Sequence, residues 1–362
     1  MSEKAVIAMS GGVDSSVAAA LMINQGYHCV GITLKLYNGD IKQDFTTCEK
    51  EPRGCCSLSD VNDARNVAFS LGMAHYVLNF TGEFEKKVIR HFIETYEAGA
   101  TPNPCIECNR HIKFNSLLLR TRQLDLDLLV TGHYARIKKD PVSGRFLLIK
   151  ALDEKKDQSY VLYCLTQQQL QLTRFPLGEL YKSEVRKIAE EKKFVNASKG
   201  ESQDICFVPD GDYAGFIEKY TGKSYPPGDI IDTEGKVIGR HKGLIRYTIG
   251  QRRGLGVAAN IPVYVAAKSV SDNTVTLSSG GALLSKSLAV KNINLIACED
   301  IKKPLRVTVK TRYLQTAQSA IAVQTGEDCL RIDFDSPQRA ITPGQAAVMY
   351  DGDIVVGGGT IC

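Results

Sequence analysis

Short apolar runs alternate with segments of helical spacing over the first 200 residues. The apolar runs predict strands at 5–9, 28–34, 74–80 and 127–131, and the helical spacing predicts helices at 17–23, 60–71, 83–96 and 112–124. Gly72 directly follows the second of these helices, at a position where glycine commonly ends one. Strands that alternate with helices pair in parallel, so this region predicts a doubly wound α/β sheet with ligands at the carboxyl ends of its strands.

The pattern changes near residue 210. Residues 225–232, 233–239, 305–310 and 340–350 are typical of short strands joined by tight turns. We therefore predict an N-terminal α/β domain at 1–210, a small central β domain at 211–285 and a C-terminal β-barrel at 286–362.

Amino-acid composition alone does not identify the function of this protein, but it excludes some classes. The 362 residues contain 45 Lys and Arg against 40 Asp and Glu, and this net charge of +5 is compatible with nucleic-acid binding without being diagnostic of it. No apolar run approaches the length that crosses a bilayer, and residues 1–4 enter a strand without the apolar region of a signal peptide. Eleven cysteines without a secretion signal predict reduced thiols, a cytoplasmic location and no membrane partner.

The loop between the first strand and the first helix has the sequence AMSGGVDSS at 8–16. A glycine turn that opens a helix points backbone N–H groups and the helix dipole at one place, which favours a phosphate. The loop lacks the lysine of a Walker A motif and the spacing of a Rossmann fingerprint. A turn whose glycines merely permit packing would not need Ser and Asp together, so phosphate binding is the favoured interpretation.

Three cysteines are candidates for sulfur chemistry. Cys105 and Cys108 stand three residues apart, just before the helix predicted at 112–124, and a helix N-terminus favours the thiolate. Basic residues at 110, 111 and 113 act in the same direction. Cys206 lies in a polar segment that suits a loop better than a core.

The segment Ser10–Ser15 resembles the SGGxDS loop of PP-loop ATP pyrophosphatases, which cleave ATP between its α- and β-phosphates. With the cysteine segments 101–114 and 200–207, the whole chain resembles the bacterial tRNA-specific 2-thiouridylases. The similarity extends through 131–136, 156–160, 246–256, 312–313 and 343–346. This family replaces O2 of the wobble uridine with sulfur, in tRNAs for Lys, Glu and Gln.

The resemblance implies a role for each matching residue. ATP is expected on Ala8, Met9, Ser10, Gly11, Gly12, Val13, Asp14, Ser15, Leu34 and Gly132, with Asp14 near Mg²⁺ and the leaving pyrophosphate. Cys108 matches the catalytic nucleophile and Cys206 the persulfide carrier, and the two are expected to pair in a disulfide. The target base is expected at Asn103, Pro104 and Cys105, and tRNA contacts at His133, Lys156, Asp157, Gln158, Arg312, Tyr313 and Gln345. The resemblance also implies a sulfur donor protein, either a cysteine desulfurase or a sulfur-relay carrier.

One departure from the family pattern leaves alternatives open. Many members have Asp where this chain has Cys105, so Cys105, Cys108 and Cys206 could together hold a [4Fe–4S] cluster whose open iron binds hydrosulfide. The same reaction would then proceed without the persulfide. A different PP-loop enzyme, one that makes 4-thiouridine or thiolates cytidine, is a further alternative, and so is an RNA-binding iron–sulfur sensor without turnover.

Overall fold

The computed structural model describes residues 3–37, 58–200, 205–258 and 261–362. The chain divides into two compact units. The first comprises Met1–Val88, Pro104–Gly211 and Asp353–Val355, and the second comprises Ile89–Asn103, Asp212–Gly352 and Val356–Cys362. These units do not test the three predicted domain ranges, which remain predictions.

A five-stranded parallel sheet in the order β3-β2-β1-β4-β7 organises the first unit. The strands in this part of the chain are β1 (Lys4–Ala8), β2 (His28–Lys35), β3 (Ala74–Asn79), β4 (Leu128–Thr131), β5 (Arg136–Lys139), β6 (Phe146–Ile149) and β7 (Thr173–Arg174). β1 is central, and the side chains of Ala5, Val6 and Ile7 are fully buried, as in a strand covered on both faces. The order turns back between β1 and β4, so the loops after these two strands meet where ligands bind in such sheets.

Helices in the described ranges alternate with the strands as predicted. They are α1 (Val13–Asn24), α2 (Leu58–Ser70), α3 (Thr81–Phe84), α4 (Arg90–Glu97), α5 (Pro104–Glu107), α6 (Leu118–Gln123), α7 (Ser159–Leu162), α8 (Gln167–Gln171), α9 (Lys182–Glu191) and α10 (Tyr213–Thr221). None of these helices has the length and apolar character needed to cross a membrane.

The helix predicted at 112–124 begins eight residues earlier than expected. Helix α5 starts at Pro104 and continues through a π-helical segment, Cys108–Leu117, into α6. Proline suits a first helical position because its φ is already helical and no N–H is lost there. The prediction that both cysteines precede the helix is therefore wrong, because Cys105 and Cys108 lie in its first two turns.

The second unit is mainly β-structure. A small sheet has the order β10-β11-β8-β9, and six longer strands follow in the order β12-β15-β14-β13-β16-β17, closed by a pairing of β12 with β17. The bounds are β8 (Gly228–Ile231), β9 (Val237–His241), β10 (Tyr264–Ser269), β11 (Thr274–Ser278), β12 (Leu284–Leu295), β13 (Leu305–Lys310), β14 (Gln318–Gly326), β15 (Cys329–Arg339), β16 (Ala346–Asp351) and β17 (Ile354–Ile361). The predicted small β domain and C-terminal barrel are confirmed.

Candidate active site

The loop between β1 and α1 is shaped by its own glycines and serines. Gly11 has φ +74°, and a Cβ there would collide with the carbonyl of Asp60, so glycine is required at this position. The Ser15 and Ser16 hydroxyls donate to the Gly12 carbonyl at 3.0 and 3.1 Å. No side chain caps the start of α1. The first N–H groups of α1 are therefore oriented to bind an anion.

A buried lysine reaches this loop from a distant part of the chain. Lys182, the first residue of α9, is 9% exposed, and its Nζ lies 2.6 Å from Oδ1 of Asp14. The Tyr134 hydroxyl donates to the same oxygen at 2.7 Å, and the ammonium lies 5.7 Å from the centre of the Tyr134 ring. The loop sequence lacks the lysine of a Walker A motif, and in the fold Lys182 places a cation beside the loop. Lys182 was not predicted, because nothing near it in sequence indicates phosphate chemistry.

Two further residues from a distant part of the chain form hydrogen bonds with the loop. The Asn196 amide donates to the Gly11 carbonyl at 2.9 Å and to the Ser16 hydroxyl at 3.0 Å. The Lys199 ammonium lies 3.3 Å from the same carbonyl. Its hydrogen bonds to Asp60 and Asp63, both 2.6 Å, outweigh burial and raise the pKa of Lys199. Both residues precede Cys206 in the chain and were also missed by the sequence analysis.

The structure brings the other predicted ATP-binding residues to this edge of the sheet. Leu34, near the carboxyl end of β2, is buried, and Gly132 directly follows β4. A Cβ on Gly132 would approach the carbonyl carbon of Asp14 and the amide nitrogen of Ser15 to 2.7 Å. Gly132 thus packs directly on the loop between β1 and α1. Its role in lining the nucleotide, like that of Leu34, stays a prediction.

The candidate thiols differ in exposure. Cys105 is exposed, Cys108 is buried and Cys206 is half-buried. Residues 201–204, which precede Cys206 in the sequence motif, lie outside the described residues. A further thiol, that of Cys164, lies 3.7 Å from the carbonyl oxygen of Ile106 in the same helix as Cys105. Burial raises the pKa of Cys164 to about 12, so this thiol stays protonated and is not a nucleophile at neutral pH.

The described residues provide no ready ligand set for a metal. Within the described ranges, no three His, Cys, Asp or Glu side chains lie close enough together to hold a metal ion. As placed here, Cys105, Cys108 and Cys206 therefore do not fit a [4Fe–4S] cluster, and we derive no step through one.

Some side chains of the first unit that are predicted to contact tRNA form hydrogen bonds within the protein. Asp157 is 7% exposed, and its carboxylate accepts hydrogen bonds from the backbone of Ala151 and from Ser159. The Gln158 side-chain oxygen accepts from the Tyr134 amide at 2.9 Å. These contacts favour a positioning role for Asp157 and Gln158. Lys156 is half-buried.

His133 is packed among aromatic rings. It lies between Phe114 and Phe175, with ring centroids 5.8 and 5.9 Å away, and one ring nitrogen is 2.7 Å from the Thr131 hydroxyl. Burial, with the nearby charge of Lys113, holds the pKa of His133 well below its usual value. His133 is therefore neutral at physiological pH.

The predicted contacts of the second unit lie around the barrel. The Arg312 guanidinium donates to the Ala340 carbonyl. The Gln345 amide donates to the carbonyls of Thr101 and Pro102, both at 3.1 Å, next to the predicted target-base residue Asn103. Tyr313 is half-buried on the segment between β13 and β14.

Comparison with known proteins agrees with this architecture over the full chain. Family models described as a tRNA methyl transferase HUP domain, a tRNA methyl transferase PRC-barrel domain and an aminomethyltransferase β-barrel domain match residues 3–210, 214–279 and 285–361. The tRNA-specific 2-thiouridylase MnmA of Clostridioides difficile is 49% identical over 361 residues, which cover 100% of this chain and 98% of the relative. The chain belongs to this 2-thiouridylase family.

A second 2-thiouridylase, from Symbiobacterium thermophilum, is 48% identical over 100% of this chain and 92% of its own length. Among solved structures, a 4-thiouridine synthetase–RNA complex with bound ATP aligns with a TM-score of 0.35 and 17% identity, over 61% of this chain and 50% of that one.

Proposed function

We propose that this 2-thiouridylase uses ATP and a persulfide to thiolate the wobble uridine of tRNAs for Lys, Glu and Gln. The observation that carries the proposal is the arrangement around the β1–α1 loop, in a chain 49% identical over its full length to a tRNA-specific 2-thiouridylase. There an uncapped helix start, the Asp14–Lys182 ion pair and two loop-facing serines converge. The reaction requires two chemical steps.

The first step activates the uridine. A carbonyl oxygen is a poor leaving group, so O2 of the uracil attacks the α-phosphorus of ATP and pyrophosphate departs. The N–H groups at the start of α1 bind the phosphates, and Lys182 stabilises the negative charge that develops on the leaving pyrophosphate. Asp14 is the loop carboxylate that would hold Mg²⁺, and the ion would neutralise part of the phosphate charge.

The second step delivers sulfur. The terminal sulfur of a persulfide on Cys206 attacks C2 of the adenylated uracil, and AMP leaves with the former O2. The Cys108 thiolate then attacks the Cys206 sulfur, which breaks the sulfur–sulfur bond and leaves 2-thiouridine. The electron pair of that bond stays on the uridine sulfur, and Cys108 and Cys206 are joined in a disulfide. A dithiol reductant and a new persulfide from a donor protein restore the enzyme for the next turnover.

We assign the sulfur supply to a cysteine desulfurase or a relay carrier. We assign the protein to the cytosol, because the reaction needs reduced thiols. The tRNA is expected to meet His133, Lys156, Arg312 and Tyr313. The target base is expected near Asn103, Pro104 and Cys105, since an unpaired loop base can be turned out of its stack for chemistry.

The test is thiolation in vitro with unmodified tRNA, ATP and a persulfide donor, using anaerobically purified protein with and without iron. We expect 2-thiouridine, identified by mass spectrometry of the digested tRNA, and one AMP for each sulfur transferred. Cys108→Ala and Cys206→Ala should each abolish product, whereas Cys298→Ala, a half-buried thiol of the barrel, should not.

Other outcomes would contradict specific parts of the proposal. Activity that requires iron and bound sulfide would replace the persulfide step by the cluster alternative. A different thiolated nucleoside would assign another PP-loop reaction. Wild-type levels of 2-thiouridine in cells that carry only Cys108→Ala would indicate an RNA-binding protein without turnover.

A further inference from the structure

An arginine side chain lies over a tyrosine ring at the edge of the small sheet in the second unit. The guanidinium carbon of Arg339, the last residue of β15, lies 4.0 Å from the ring centre of Tyr264, the first residue of β10. Arg339 is exposed and Tyr264 is half-buried. Hydrogen bonding and positive charge from Arg339, with a smaller contribution from Arg252, lower the pKa of the Tyr264 hydroxyl. The stacked pair thus stands in a positive environment.

The pair forms one wall of an open cleft. The cleft has a volume of about 420 Å³ and is lined by Ile261, Pro262, Tyr264, Ser279, Gly280 and Arg339. Gly280 lies next to the pair, since a Cβ on it would be 3.7 Å from the edge of the Tyr264 ring and 3.8 Å from the Arg339 guanidinium. A planar group can therefore approach the stacked pair.

The basic segment at 246–256 runs alongside this cleft. The Gly250 amide donates to the Val265 carbonyl at 2.8 Å, and the Val265 amide donates to the Gln251 carbonyl at 3.0 Å. These bonds hold the segment against β10 directly beside Tyr264. The next residues, Arg252 and Arg253, are exposed, and no carboxylate in the described ranges forms an ion pair with either of them or with Arg339.

The same surface is continuous with a predicted tRNA contact. Arg312 donates to the carbonyl of Ala340, the residue after Arg339. A Cβ on Gly250 would lie 2.7 Å from the Ala340 side chain and 3.4 Å from the Arg312 guanidinium. These contacts link Arg312 to the basic segment and, through Ala340, to the residue next to Arg339.

We propose that Tyr264, Arg339, Arg252 and Arg253, the arginine–tyrosine platform, bind an unpaired nucleotide of the RNA substrate. An RNA base stacks against the Tyr264–Arg339 pair, and the adjoining phosphates lie near Arg252 and Arg253. Unstacked RNA bases are recognised by aromatic rings and by the planes of arginine guanidinium groups, while phosphates bind clustered arginines. This inference rests on the proposed tRNA substrate and adds Tyr264 and Arg339, which lie in none of the sequence motifs, to the basic segment.

The test measures binding of a fluorescently labelled unmodified tRNA transcript to the full-length protein at several salt concentrations. Tyr264→Ala and Arg339→Lys should weaken binding about 5- to 100-fold, as expected for the loss of one stacked base. Tyr264→Phe keeps the ring and should bind like the wild type. Because Arg339→Lys keeps the charge, it should leave the slope of log Kd against log salt unchanged, whereas Arg253→Ala should reduce that slope by about one.

A matched control comes from the same strand. Arg331 of β15 is exposed and paired with Asp333 at 2.9 Å, so Arg331→Lys should not change RNA affinity. ATP binding, measured by calorimetry, should be unchanged in every platform variant, because the ATP loop belongs to the other unit. Wild-type affinity in both Tyr264→Ala and Arg339→Lys would overturn the platform while leaving the thiolation proposal intact. No binding of the transcript by the wild-type protein would instead contradict the proposed function itself.

Discussion

Lys182→Met removes the cation beside the ATP loop and keeps most of the side-chain volume. The Lys182 side chain is 11% exposed, and the Asp14 side chain with which it pairs is 33% exposed. Breaking a fully buried ion pair costs about 3–5 kcal/mol of unfolding free energy. Because water still reaches Asp14 and Tyr134 still donates to its carboxylate, we expect the lower cost of about 1–3 kcal/mol. The protein should therefore remain folded, which thermal unfolding can verify.

The expected effect on catalysis is larger than the effect on stability. A preorganised charge that stabilises a transition state contributes about 100-fold or more to kcat. In Lys182→Met, tRNA-dependent formation of AMP and pyrophosphate from ATP should fall by about that factor. The KM for ATP should change less, because charge builds on the pyrophosphate mainly in the transition state.

Two matched variants separate the charge from the packing. Tyr134→Phe removes only a neutral hydrogen bond to Asp14 and should reduce kcat much less than Lys182→Met. Lys187→Met changes an exposed lysine of the same helix, which pairs with Glu191 at 3.8 Å, and should leave turnover unchanged. AMP formation within threefold of the wild type in a folded Lys182→Met variant would refute the role of Lys182.

Three further predictions concern the loop and its surroundings. Gly11→Ala should abolish ATP binding, measured by calorimetry. Gly26 has a similar φ of +88° but open space around it, so Gly26→Ala should retain ATP binding. The pKa of His133 is lowered from 6.5 in the folded state, so the unfolded chain binds the proton more tightly and stability should fall as the pH drops below about 6.5; thermal unfolding of His133→Asn should show a weaker pH dependence. Cys164 should resist alkylation at pH 8 in the native protein, and Cys164→Ala should retain the thiolation that Cys108→Ala loses.

The parts of the fold that could be predicted are those whose signal lies within one short stretch of the sequence. The parallel sheet was accessible because β1, β2 and β4 are mostly apolar runs, and the ATP loop because its glycines and serines are adjacent in the chain. The two-residue strand β7, Thr173–Arg174, was missed because it has no apolar residue. The β5–β6 hairpin was missed, since Arg136–Lys139 ends in two lysines and resembles a solvated turn. The early helix start was missed for a similar reason. Residues 104–111 have little apolar periodicity, and Pro104 resembles a helix breaker unless it occupies the first turn.

The site residues that were missed are all distant in sequence from the loop they serve. Lys182 contacts Asp14 across 168 positions, and Asn196 contacts Gly11 across 185. No motif of fixed spacing encodes such pairs, because only the folding of α9 and the segment after it onto the sheet brings them together. The motif residues Asp157 and Gln158 illustrate the converse. Their side chains bond to neighbouring parts of the fold, which the motif alone does not reveal, and their tRNA contact stays a prediction.

The contacts around Gly11 connect the two halves of the proposed reaction. The Gly11 carbonyl accepts from both Asn196 and Lys199. These residues precede Cys206, the proposed persulfide carrier, by ten and seven positions, and they bond to the β1–α1 loop. Loss of Asn196 should therefore disturb ATP binding and sulfur transfer together, whereas loss of Lys182 should slow adenylation alone. In the proposed reaction, Lys182 of α9 is thus expected to serve the first step, and the contacts at Gly11 are expected to couple that step to the second.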